Sequence, residues 1–175
     1  MNQKQAWIEL VEQKSKHYLN LGDGGFDEHM KAHLVDCNYE EQSVTYRFET
    51  QKWQINERGG IHGGAIAGMF DTAFGVVANL TAGDNEATTT DMTISFLRGV
   101  ELGMEVDLKV YIVKAGRSLI RQRGELYDAA TKKLLATGSG SWMPLKAENT
   151  AHSISTVGCA VFYIVFIISS RFLLP

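Results

Sequence analysis

Two periodicities divide the chain. Between residues 3 and 19, apolar side chains recur at Trp7, Ile8, Leu10, Val11, Tyr18 and Leu19 among charged neighbours. That spacing predicts an amphipathic helix, ended near Gly22. The run GDGG at 22–25 reads as a loop, and 27–35 as a short helix or an irregular entry to a sheet. From Ser43 the period drops to two. Val44, Tyr46 and Phe48 alternate with Thr45, Arg47 and Glu49, which gives a strand one apolar face. A loop, QKWQINERGG, follows. The segment 61–80, IHGGAIAGMFDTAFGVVANL, is apolar nearly all the way round and predicts a buried helix. Period two then returns in the segments 89–97, 105–113, 118–128 and 134–144, the last stopped by Pro144.

Short hairpin-like connections make neighbouring strands antiparallel. The order is helix, strand, buried helix, then four strands. An α+β architecture satisfies it: one curved antiparallel sheet wrapped around a central helix, which buries the helix and covers one sheet face. The outer edges of such a sheet invite pairing with a second copy of the chain.

Composition narrows the classes. A chain of 175 residues suits one domain, and 21% charged with 45% hydrophobic residues is an ordinary globular balance. A net charge of -3 lacks the clustered Lys and Arg that phosphate-backbone contacts need, so no nucleic-acid partner is expected. Cys37 and Cys159 are far apart and form no CxxC, which favours a reducing compartment. The first twenty residues are charged throughout, with no apolar core of a leader, and a cytoplasmic location follows as the expectation. One stretch departs from this. Ser153–Ser170 carries no charge and matches the lower edge of a bilayer span, about 17–25 residues. It reads as a candidate C-terminal membrane anchor, against a buried strand or helix, or a tail without a role. The organisation expected is an N-terminal helix and loop at 1–35, a domain at 36–146, and an atypical hydrophobic tail at 147–175.

The 61–80 helix holds the candidate chemistry. Each interior glycine costs a helix about 0.8–1 kcal/mol against alanine, so its glycines need a packing reason. Gly64, Gly68, Asp71 and Gly75 fall on one face, which could approach a backbone or a ligand closely. Asp71 is the only formal charge between His62 and Leu80. A carboxylate in such surroundings must be paired or hydrogen-bonded. It is either a structural acid satisfied by a backbone amide or a hydroxyl such as that of Thr72, or a catalytic acid held where burial raises its pKa. His62-Gly63-Gly64 sits at the start of the helix. Unpaired N–H groups and the positive dipole end there suit a developing oxyanion, and suit a plain helix start equally.

Other signals point to no rival chemistry. His29 and His33 have i, i+4 spacing, without the HExxH or cysteine cluster of a zinc site; no metal is expected. The glycine runs match neither GxxxxGK[ST] nor a strand-linked GxGxxG. Ser139 and Ser141 lie in GSGS rather than GxSxG. Trp53 is a packing residue or part of an acyl pocket. Arg121 and Arg123 read as a solvated strand face.

The combination is more specific than its parts. Asn56, then Gly60-Ile61-His62-Gly63-Gly64, then Asp71, then Asp91 and a strand ending FLRG, resembles the hotdog-fold acyl-CoA thioesterases of the PaaI-like branch, over about residues 40–144. The turn AGRSL shares in the likeness; Arg98-Gly99 replaces the Arg-Pro of many relatives, and 146–175 has no counterpart. The resemblance implies that Asp71 acts as general base or nucleophile on an acyl-CoA thioester. It implies that the Gly63 N–H and the Asn56 side chain polarise the carbonyl, that Thr89 orients the water, and that His62 and Gly64 belong to the substrate-binding turn, His62 also stabilising the helix start. It further implies that Lys114, Gly116, Arg117 and Ser118 contact CoA. No cofactor is expected, since CoA is part of the substrate. A homodimer or a homotetramer built as a dimer of dimers is expected, the acid of one subunit facing the glycine turn of another. The alternatives are a hotdog dehydratase acting on hydroxyacyl thioesters and a non-catalytic acyl-CoA binder.

Overall fold

The computed structural model describes residues 2–145. Cys159 and the uncharged 153–170 stretch, with the membrane-anchor expectation, lie outside the described residues. The elements are α1 (Gln3–Leu19), α2 (Phe26–His29), β1 (His33–Asn38), β2 (Ser43–Glu49), a 3-10 turn (Lys52–Gln54), α3 (Gly63–Thr81), β3 (Ala87–Phe96), β4 (Glu105–Ala115), β5 (Ile120–Asp128) and β6 (Leu134–Pro144).

Six strands form one sheet in the order β1-β2-β4-β5-β6-β3, every neighbouring pair antiparallel. The helix α3 lies across one face and touches β2 through β6. This is the sheet-around-a-helix arrangement that the pattern and the hotdog resemblance predict.

One strand escapes the sequence pattern. Segment 27–35 divides into the single turn α2 and the start of β1. The ladder between β1 and β2 slips between Leu34 and Asp36, a β-bulge. Leu34 and Cys37 are the half-buried residues that pack against the core, a spacing of three rather than two or four. The bulge supplies the odd residue, so period-two counting fails on this edge strand.

The helix is held against the sheet by aromatic rings over glycines. Phe70 and Phe74 meet edge to face at 5.5 Å, and Phe74 and Trp142 at 5.3 Å. A Cβ on Gly124 would lie 2.8 Å from the Phe74 ring, and one on Gly138 2.8 Å from the Phe70 ring. Glycine at these two sheet positions lets the rings lie on the backbone. Below them the fully buried Gln122 donates from Nε2 to the Phe74 carbonyl at 3.0 Å, which fixes the helix along and about its axis.

The first helix adds a second layer. The Asn2 side chain accepts from the Lys4 N–H at 3.2 Å as N-cap. Val11, Ser15 and Leu19, four residues apart, are its buried face, and the Ser15 hydroxyl bonds the Tyr46 hydroxyl at 2.9 Å.

Candidate active site

The start of α3 is tied to two other segments. The N–H groups of His62 and Ile61 donate to the carbonyls of Gln54 (2.7 Å) and Val100 (2.8 Å), and Asn56 N–H donates to Gly60 at 2.8 Å. His62 is the N-cap; its Nδ1 accepts from the Gly64 N–H at 2.8 Å. The next two amides, of Ala65 and Ile66, donate to the His62 carbonyl at 2.9 and 3.1 Å. Of the first-turn amides, that leaves the Gly63 N–H without an acceptor among the described residues. It opens on a pocket of about 360 Å³ lined by Ile61, Ile66, Phe96 and the 97–100 turn. The helix dipole adds partial positive charge there. Asn56 accepts from the Arg58 N–H at 2.9 Å through its side-chain oxygen, and its Nδ2 lies 3.5 Å from the Ile61 carbonyl. That contact is too long to hold the amide strongly.

Asp71 is half-buried in the middle of α3. Its Oδ1 accepts from the Thr89 hydroxyl at 3.0 Å. Burial pushes its carboxyl above the ordinary value; the Thr89 hydrogen bond opposes this, and the negative charge of Asp27 adds to the rise. Thr72, the hydroxyl weighed as a structural partner, instead bonds Asp27. The acid is therefore satisfied by one hydroxyl from β3.

A second bulge aims that hydroxyl. In the β3–β6 ladder Thr89 pairs with Trp142 and Asp91 with Ser141, so Thr90 is surplus. Residues paired across a ladder share a face. Trp142 packs inward on Phe74, while Asp91 and Ser141 point outward to Arg121 at 3.0 and 2.7 Å. Regular alternation from Asp91 would put Thr89 outside. The extra residue turns it to the helix side, where it reaches Asp71. The Thr90 hydroxyl donates to the Ser141 carbonyl at 3.0 Å and stitches the bulge.

The sequence offered a short helix within 27–35 but gave Phe26 and Asp27 no part in the site. Phe26 lies on Gly68, and Asp27 bonds Thr72, so both flank Asp71. No periodicity in a four-residue turn could have marked them. Lys114, Gly116, Arg117 and Ser118 come together at the β4–β5 hairpin, closed by Gly116 N–H to Leu119 carbonyl at 3.1 Å. It presents exposed Lys114 and Arg117 side chains.

Other sequence candidates have structural partners. His29 Nδ1 bonds the Gly25 carbonyl at 2.9 Å, and no cluster of three metal-ligating side chains occurs among the described residues. Arg121 holds Asp91, Ser139 and Ser141. Arg123 lies 3.6 Å over the Tyr111 ring and pairs with Glu125 at 2.9 Å. A larger cleft of about 530 Å³, lined by Arg47, Glu105 and Asp128, contains none of the site residues.

The two positions that the resemblance pairs are separated along one helix. Gly63 and Asp71 are eight residues apart on α3, about 12 Å along the axis at 1.5 Å per residue.

Residues 58–134 match the family model described as "Thioesterase superfamily". The chain is 28% identical over 115 residues to mouse acyl-coenzyme A thioesterase 13, covering 65% of this chain and 81% of that protein. In fold it resembles the E. coli PaaI protein of the phenylacetic acid degradation operon, with a TM-score of 0.66 at 17% identity over 78% of this chain and 96% of that one. It also resembles a Streptococcus mutans protein solved bound to acetyl-CoA, with a TM-score of 0.59 at 21% identity over 66% and 89% of the two chains.

Proposed function

We propose that this chain, whose residues 58–134 match the thioesterase superfamily model and whose fold is that of the PaaI-like hotdog proteins, hydrolyses acyl-CoA to a free carboxylic acid and CoA, with Asp71 as the catalytic carboxylate. The observation that carries the reading is Asp71 itself, half-buried, raised in pKa and held through one oxygen by Thr89. The second carboxylate oxygen is left for a water.

Asp71 takes a proton from that water as its oxygen attacks the thioester carbonyl carbon. The Thr89 hydroxyl orients acid and water. The carbonyl oxygen becomes an oxyanion facing the Gly63 N–H and the Asn56 Nδ2. Collapse breaks the C–S bond, the acyl group leaves as a carboxylic acid, and Asp71 returns the proton to the CoA thiolate. A positioned base contributes about 10²–10⁴-fold, and one oxyanion donor about 10²–10³. Direct attack by Asp71 through an anhydride is the variant of this route; label from water found in Asp71 after a single turnover would establish it, since water opening the anhydride at the Asp71 carbonyl leaves its oxygen there and the general-base route never does.

The separation of Gly63 from Asp71 along α3 supports a site shared by two subunits, in a dimer or a dimer of dimers. His62 and Gly64 maintain the helix start, the His62 Nδ1 by capping it. The cationic hairpin of Lys114, Gly116, Arg117 and Ser118 suits the phosphates of CoA, the moiety carried by the ligand of the Streptococcus mutans relative.

The test is thiol release over a panel of acyl-CoAs. Asp71→Asn is expected to lower turnover about 10²–10⁴-fold with an unchanged circular dichroism spectrum. Full turnover by that variant refutes the assignment of the acid. Tight binding of acyl-CoA with no thiol released by the wild type would leave a binding protein instead.

A further inference from the structure

We propose that α2 forms one wall of the acyl pocket and that Phe26 sets which acyl chains are accepted. The inference rests on Asp71 being the acid of a thioester hydrolase. Phe26 is a large apolar side chain left 54% exposed. Its covered side lies on Gly68: a Cβ there would stand 2.5 Å from the Phe26 Cζ and 3.2 Å from the Met30 methyl. Glycine at 68 is thus what lets the ring rest on the helix. Gly68 precedes Asp71 by three residues, which places them about 60° apart around the axis and about 5–6 Å apart along one face. The ring therefore rests on the same strip of α3 that carries the carboxylate.

Three tethers hold this wall. The Asp27 carboxylate accepts from the Thr72 hydroxyl. Gln51 donates from Nε2 to the His29 carbonyl at 2.7 Å, and Gln54 from Nε2 to the Met30 sulfur at 3.8 Å. The last two come from the loop that leads to Asn56. A single turn of helix has little stability of its own, yet this one is bound on one side to the acid's helix and on the other to the loop that carries the carbonyl-polarising amide. An acyl chain whose carbonyl lies at Asp71 meets an apolar surface in the Phe26 ring.

Pocket contacts of this size discriminate chains by about 10–200-fold. In the full-length protein, Phe26→Ala is expected to lower kcat/KM for the best-turned-over long acyl-CoA about 10-fold or more, through KM, while acetyl-CoA turnover holds. Gly68→Ala, which displaces the ring, should reproduce the shift, and Phe26→Leu should restore most of the profile. An unchanged chain-length profile overturns the inference, as does an equal loss of kcat on every ester, or altered subunit association with the profile intact. A wild-type protein that releases no thiol from any ester overturns the hydrolase reading and this inference together. Release by the wild type with an indifferent Phe26→Ala overturns the inference alone.

Discussion

The Asp71 carboxyl is under opposing influences, and each has a separate variant. Burial and the Asp27 charge raise its pKa above 3.8, and the Thr89 hydrogen bond lowers it. A general base works deprotonated, so activity rises as pH climbs through that pKa. With Asp71 as the base, the acid limb of kcat/KM is expected above the ordinary Asp range. Thr89→Val removes the lowering bond and should move the limb further up, with a loss at the plateau of about 3–10-fold for one hydrogen bond; Thr89→Ser should restore both. A limb that does not move in a kcat/KM pH profile would remove Thr89 from the mechanism. At this scale the sequence was informative about Asp71, a lone charge in a greasy helix. It left Thr72 open as a partner, and the structure gives Thr72 to Asp27. Thr89 entered only through the family resemblance, because nothing in TTTD tells which hydroxyl faces the helix.

The elements show why. Period counting located α1, α3 and five strands, since long amphipathic or wholly apolar runs have few alternatives. It failed where an extra residue interrupts the count, in β1 after Leu34, and it gave no warning of the bulge at Thr90 in β3. Nor could it anticipate the pairing of rings with sheet glycines, which joins distant parts of the chain. Gly124→Ala is expected to destabilise the fold by about 1–3 kcal/mol, the usual cost of overpacking a core. The added methyl would meet the Phe74 ring at about 2.8 Å. Urea unfolding measures this, and a variant as stable as the parent would show that the helix can lift off the sheet cheaply.

At the scale of the molecule, the proposed mechanism calls for a second subunit, because the proposed acid and the glycine turn stand about 12 Å apart along one helix. A mixture of two inactive proteins tests this. Asp71→Asn retains the glycine turn, and Asn56→Ala retains the acid. Co-refolded in equal amounts, they should recover about a quarter of the wild-type sites if two-fold partners complete each other. Thiol release no higher than that of either variant alone would place the whole site inside one subunit. The extra residue in β3 also bears on how such a chain can change through descent. Point replacement can exchange the hydroxyl at 89 for another, but no replacement alters which side of the sheet it serves. Parity does that. With the bulge ironed out and no codon lost, Thr89 would fall opposite Met143 and turn outdoors; losing the Thr90 codon instead would leave a regular ladder with the acid's companion still on the helix side.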